Sequence, residues 1–131
     1  TINTPSMLAV EDAIFALEWG KSLGGLSALK ARANANAAAL DAIVAARDWL
    51  DHLAADPASR SNTSVCLTVA GADEARIKAM AKLLEDESAA YDIAGYRDAP
   101  AGLRIWCGAT VESADIEALG PWLDYAYAAT A

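Results

Sequence analysis

Apolar positions recur at helical spacing over the first third of the chain and at shorter, strand-like intervals beyond it. Met7, Val10, Ile14 and Leu17 lie on one helical line, with Leu8 and Phe15 on a neighbouring one. Thr4-Pro5 just ahead predicts the helix start, because threonine caps and proline's missing N–H costs nothing at the first helical position. Gly24-Gly25 predicts the end. A second helix is expected over 26–48, with Leu26, Leu29, Ala33, Ala37, Leu40 and Val44 as its seam. The alanines from Ala33 to Ala39 point to close packing against another element.

Past Asp48 the segments shorten. Residues 49–53 and 64–69 read as strands, separated by a polar loop over 56–62. Asp73 is expected to cap a helix reaching about Glu87, with Ile77, Met80, Leu83 and Leu84 inward. Residues 91–94 and 103–107 read as two more strands across a Pro/Gly turn. Ser113 is expected to cap a last helix carrying Ile116, Leu119, Trp122 and Leu123, which Pro121 should kink or split. Two helices followed by strand, strand, helix, strand, strand, helix predict a two-layer α+β fold with a mainly antiparallel sheet packed by helices. The expected organisation is a pair of leading helices over 1–48 and an α+β sandwich over 49–131.

Composition narrows the class. The chain's 131 residues suit one domain, and its 55% hydrophobic content is swollen by alanine, which favours helices more than it builds cores. A net charge of −8, spread along the chain with only ten basic residues, argues against a nucleic-acid partner. There is no apolar run of about eighteen residues, so no membrane span is expected. No signal-peptide pattern opens the chain. Thr1-Ile2-Asn3, without an initiator Met and running at once into a helix signal, reads as a piece of a longer chain. Cys66 and Cys107 sit in strand-like apolar runs and read as buried thiols of a cytoplasmic protein rather than a redox pair.

Most motif candidates fail on chemistry. Gly20-Lys21-Ser22 resembles the end of a phosphate-binding loop, but Phe15 stands where that loop needs a glycine. His52, the one histidine, lies beside Asp51 on a candidate edge strand; with no cysteine or second histidine near it, no metal site is expected. The acidic groups Glu11-Asp12 and Glu85-Asp86-Glu87 read as solvated helix faces. Arg60-Ser61-Asn62 fits an ordinary turn. Asn3-Thr4-Pro5 taken alone reads first as an N-cap, with a phosphate site as the second reading, since a helix start presents free N–H groups.

Arg97 and Arg104 carry more weight. They flank the Pro/Gly turn, and Arg104 sits among Leu103, Ile105 and Trp106, so its strand is expected to run into the core. A guanidinium is always charged and its planar fork matches carboxylates and phosphates, so burial demands an anionic partner. That partner is either a ligand or an internal carboxylate such as Asp98 or Glu112.

Asn3-Thr4-Pro5, Gly24-Gly25, Arg60-Ser61-Asn62-Thr63-Ser64-Val65, Gly95-Tyr96-Arg97 and Gly102-Leu103-Arg104 occur in the order seen in phosphoserine aminotransferases. The chain resembles the C-terminal part of that family over nearly its whole length. The resemblance implies a fold-type I enzyme using pyridoxal 5'-phosphate, working as a homodimer. Such an enzyme moves an amino group between phosphoserine (or 3-phosphohydroxypyruvate) and glutamate (or 2-oxoglutarate) in serine biosynthesis. It further implies that Arg104 grips the substrate α-carboxylate and that Arg97 helps hold the substrate phosphate or glutamate's side-chain carboxylate. Asn3 and Thr4 would reach the cofactor phosphate of the neighbouring subunit. Tyr96 stands where some members carry a histidine, and a phenol donates to phosphate without adding positive charge. The resemblance implies that the family's Schiff-base lysine lies upstream of Asn3, in a large domain; Lys21, Lys30, Lys78 and Lys82 all fall on expected helices, and none is expected to take its place. This chain alone is therefore expected to be inactive. Two other readings stay open: an aminotransferase of the serine, alanine or glyoxylate type, and a stand-alone α+β module sensing a small anion.

Overall fold

The structure, a computed structural model, describes residues 6–131. The elements are α1 (Met7–Ser22), α2 (Gly25–Ala45), β1 (Leu50–His52), β2 (Ser64–Val69), α3 (Glu74–Asp86), β3 (Gly102–Trp106) and α4 (Ser113–Ala129), with a short 3-10 turn at Pro57–Ser59. The chain divides into two compact units between Ala31 and Arg32, within α2.

In the first unit, Ser6 caps α1, its hydroxyl accepting from the Ala9 amide at 3.4 Å. The start expected at Thr4-Pro5 lies outside the described residues. Gly24 and Gly25 adopt φ values of 109° and 72°, which only glycine takes without strain, and turn the chain into α2. Gly20 lies close against Leu29. Of α1, only Gly20 is buried, and the apolar line read from the sequence is exposed, Leu17 by 73% and Phe15 by 74%.

The second unit is built on strand alternation. In β2, Val65, Leu67 and Val69 are buried, while Ser64, Cys66 and Thr68 face the other way. β3 matches it, with Leu103 and Ile105 inward and Arg104 and Trp106 outward. The sheet is antiparallel in the order β1-β2-β3, and Leu67 lies opposite Leu103. Onto its inner face pack Leu40, Ile43 and Val44 of α2, Ile77, Met80 and Leu84 of α3, and Ile116, Leu119 and Leu123 of α4. Each such side chain contributes roughly 1.5–3 kcal/mol by leaving water. This is the expected two-layer α+β fold, with three strands instead of four. Residues 91–94 do not form a strand, because Asp92 adopts a left-handed φ of 52° that breaks the extended run. Only an isolated bridge remains, between Ala94 and Leu103.

Other differences have local causes. α2 ends at Ala45, where Arg47 folds back to donate to the Ile43 carbonyl at 2.8 Å. α4 passes Pro121 unbroken; the carbonyl of Glu117, which loses its donor there, sits on an exposed turn where water can serve it. Ser113 does not cap α4. Glu112 holds that position without a side-chain bond, and the Ser113 hydroxyl instead donates to Asn36 Oδ1 at 2.7 Å. Asn36 is 1% exposed, and its Nδ2 donates to the carbonyls of Cys107, Gly108 and Val111 at 3.2, 3.1 and 2.9 Å. One amide thus pins α2 to the β3–α4 loop. Arg47 forks onto Asp124 at 2.7 and 2.6 Å, tying α2 to α4. Tyr127 stacks on Trp49 at 4.1 Å with Arg76 above its other face at 4.3 Å, closing α4 against α3. Among the described residues, no helix is long and apolar enough to cross a membrane.

Candidate functional site

The outer face of the sheet presents Ser64, Cys66 and Thr68 from β2 and Arg104 and Trp106 from β3, with Cys66 opposite Arg104 and Ser64 opposite Trp106. Arg104 therefore does not enter the core as its neighbours imply. The pleat sends Leu103 and Ile105 inward and the guanidinium outward, leaving its side chain 26% exposed. Gly102 permits this packing, since a Cβ there would stand 2.2 Å from the Leu67 carbonyl oxygen.

The irregular segment before β3 folds over this arginine. The Arg104 amide donates to the Ile93 carbonyl at 2.8 Å, and Gly95 donates to Gly102 at 3.1 Å. The left-handed turn at Asp92 brings its carboxylate to Arg104 Nη2 at 2.8 Å and its carbonyl to 3.4 Å. The partner is thus neither Asp98 nor Glu112; Glu112 pairs with Arg32 instead. The Tyr96 ring lies 4.7 Å from the guanidinium carbon, and its hydroxyl is 3.2 Å from Ser64 Oγ. The hydrogen bond with Ser64, and then the Arg104 charge, lower the Tyr96 pKa from its ordinary value. Tyr96 and Asp92 in turn raise that of Arg104, keeping it cationic. Arg104 Nε is buried without a partner. Arg104, Asp92, Ser64, Tyr91 and Trp106 line a cavity of about 240 Å³.

Arg97 sits next door. It is exposed and, among the described residues, makes no ion pair. With Tyr96, Gly95, Glu74 and Lys78 it lines a second concavity of about 240 Å³. The structure thus brings Tyr96 and Arg104 together and sets Arg97 in a neighbouring hollow that shares Tyr96. Asn3 and Thr4 lie outside the described residues. Ser64 and Asp92 were not singled out from the sequence. Ser64 carried a signal, lying on the same alternation line as Cys66, whereas Asp92 depends on a turn that no local pattern announces.

The remaining candidates are accounted for. The His52 side chain is almost fully buried on edge strand β1, with Nε2 2.9 Å from Asp41. Its other nitrogen is unpartnered. Arg60 clamps its own loop by donating to the Ala54 carbonyl at 2.9 Å. Both cysteines are free thiols. Cys107 is buried, which with the nearby Asp41 charge pushes its pKa up to about 11, whereas Cys66 is only half-buried on the outer face. Among the described residues, no three His, Cys, Asp or Glu side chains converge as a metal site. The lysines do not fit a Schiff-base role. Lys78 and Lys82 are exposed and paired with Glu74 and Asp86 at 3.0 and 2.8 Å. Asp86 raises the Lys82 pKa, opposite to the neutral amine that such a bond requires. Lys21 and Lys30 are exposed on α1 and α2.

The two hollows can each take an acidic group, the Arg104 cavity on the outer sheet face and the Arg97 hollow between its turn and α3. Arg104 offers a fork held in place by an aromatic ring, and Arg97 offers a second, uncommitted cation.

No protein-family model matches the chain. Two curated relatives named phosphoserine aminotransferase, from Methanosarcina mazei and Methanosarcina barkeri, are 52% and 53% identical over 127 residues. The match takes in 97% of this chain and 34% of each relative, so the chain spans about a third of their length. Among solved structures, a phosphoserine aminotransferase from Bacillus circulans subsp. alkalophilus gives a TM-score of 0.83 over 98% of this chain and 35% of that one, at 21% identity. A PLP-bound phosphoserine aminotransferase from Trichomonas vaginalis gives 0.82 over 95% of this chain and 34% of that one, at 17% identity. At those identities the likeness speaks for the fold, and the sequence matches speak for descent. Together they match this chain, over nearly its whole length, to a C-terminal segment of phosphoserine aminotransferases.

Proposed function

We propose that this chain is the small domain of a phosphoserine aminotransferase and supplies the half of its active site that binds substrate anions. One observation carries this reading: Arg104 beneath Tyr96 on the outer sheet face, with the uncommitted Arg97 in the adjoining hollow. Phosphoserine has a carboxylate and a phosphate, and glutamate has two carboxylates, so each needs two cations. Arg104 takes the α-carboxylate through its fork. Arg97 takes the phosphate, or glutamate's second carboxylate. Tyr96 donates between them and covers Arg104. An aminotransferase of the serine, alanine or glyoxylate type needs the first cation and not the second, so the Arg97 hollow favours phosphoserine.

Pyridoxal phosphate, when bound to such an enzyme, supplies the electron sink for amino transfer. The lysines described above do not fit its covalent anchor, so this chain alone turns nothing over. In the longer enzyme, Asn3 and Thr4 reach the cofactor phosphate of a second subunit, making a homodimer the working form, in the cytoplasm.

The test uses the longer enzyme that carries this segment, loaded with pyridoxal phosphate. Phosphoserine, serine and alanine are added separately and the visible cofactor band is followed. Conversion with phosphoserine alone is expected; equal conversion with serine or alanine overturns the substrate assignment. A cofactor band that survives dialysis of the 131-residue chain overturns the assignment of the anchor to another domain.

A further inference from the structure

We propose that Asp92 is a built-in occupant of the carboxylate site: it holds Arg104 in the empty protein and is displaced by the incoming carboxylate. The proposal rests on the reading of Arg104 as the carboxylate-binding arginine.

Three observations carry it. A bidentate carboxylate needs two adjacent N–H groups of the guanidinium. Nε is buried without a partner and Nη2 already donates to both the carboxylate and the carbonyl of Asp92, so only Nη1 is left uncommitted. A ligand therefore has to take Nη2 from Asp92 to gain a second bond.

The second observation is that Asp92 holds on weakly. Its side chain is 88% exposed, so the pair is bathed in water on the Asp92 side. Exposed ion pairs are screened and cost little to break. The left-handed backbone at Asp92 lets both of its oxygens address Arg104 without packing the side chain into the protein.

Third, the arginine itself stays fixed when its partner changes. Tyr96 lies over the guanidinium, Ser64 holds the Tyr96 hydroxyl, and Arg104 is anchored by the β3 backbone. One carboxylate then replaces another at a prepositioned fork with little loss of side-chain entropy. The exchange also discriminates, because a neutral ligand has nothing with which to outbid an anion at Nη2. Asp92 is thus a positioning and selectivity residue, acting through Arg104.

The experiment titrates 2-oxoglutarate into the 131-residue chain and into its Asp92→Asn and Asp92→Glu variants. The Arg104 Nε–H and the Trp106 indole N–H, which lies in the same cavity and donates to Thr110, are followed by NMR. Removing the competing charge should tighten 2-oxoglutarate binding about two- to fivefold in Asp92→Asn, the range an exposed ion pair supports. Asp92→Glu should restore the competition, and the neutral dimethyl ester should show no difference between variants. Equal or weaker binding by Asp92→Asn, the same gain with the ester, or no shift at Arg104 in any variant overturns the proposal. Phosphoserine conversion by the longer enzyme is scored separately. Its failure alongside a tightened Asp92→Asn chain overturns the substrate assignment and keeps the displacement.

Discussion

Asn36→Ala removes more from this fold than the loss of one small side chain indicates. The amide shares its two N–H groups among three carbonyls and accepts the Ser113 hydroxyl on its oxygen. Cys107 is buried, so its carbonyl does not recover the lost bond from water, whereas the Gly108 carbonyl keeps the Val111 amide at 3.1 Å and half-buried Val111 recovers part. Each stranded carbonyl costs about 1–3 kcal/mol and an ordinary lost bond about 1 kcal/mol. The total is roughly 3–4 kcal/mol. With a urea slope of about 1.5 kcal/mol/M, the unfolding midpoint should fall by roughly 2–3 M. Asn36→Asp gives a control of different sign in pH. A carboxylate there faces three carbonyls and is driven toward its protonated form, so its folded pKa rises above the unfolded value. The stability it retains is then fully present below about pH 4 and is lost as pH rises through the folded value. Circular dichroism in urea at pH 4 and pH 7 measures both variants. A loss under about 1 kcal/mol for Asn36→Ala, or a pH-independent Asn36→Asp, would refute the view that this amide pins α2 to the β3–α4 loop.

Three further outcomes follow from particular contacts. Arg97→Ala in the longer enzyme should cut kcat/KM for phosphoserine about 10- to 100-fold in steady-state assays, the range of a lost charge-assisted bond, and an unchanged value refutes its phosphate-binding role. Gly102→Ala should destabilise the chain by about 3 kcal/mol in urea, because the new Cβ meets the Leu67 backbone at 2.2 Å; Gly108→Ala should cost less, since it meets only the movable Trp106 ring. Burial raises the Cys107 pKa to about 11, so its stabilising effect is complete below pH 9 and declines as pH rises through 11. A thiol reagent at pH 8 should label Cys66 and spare Cys107, and Cys107→Ala should flatten the stability profile above pH 9.

The fold was legible where one residue type fixes its own surroundings. The alternation of Val65, Leu67 and Val69 set β2, and Asp73 announced α3, accepting from Arg76 at 2.8 Å as a cap does. Arg97, Tyr96 and Arg104 were visible because charge in an apolar or glycine-rich setting needs an explanation. What stayed hidden was non-local. Asn36 looks like any polar residue in an alanine-rich helix until the Cys107–Val111 carbonyls arrive beneath it. Ser113 resembles an N-cap, and its preference is overridden by a better acceptor on another helix. The segment over 91–94 has the composition of a strand, and a single backbone angle at Asp92 decides otherwise.

The same angle has a bearing on solubility. β3 lies at one end of the three-stranded sheet, where its outer backbone groups would be a template for a foreign strand. Residues 93–95 occupy those groups through the Ile93, Ala94 and Gly95 contacts, then bend away before a regular strand can form. The sheet is thereby finished on that side by a segment too short and irregular to recruit another chain. The stretch that delivers Asp92 and Tyr96 to Arg104 is also the guard on the sheet's edge, so substitutions that loosen it should first show themselves as aggregation.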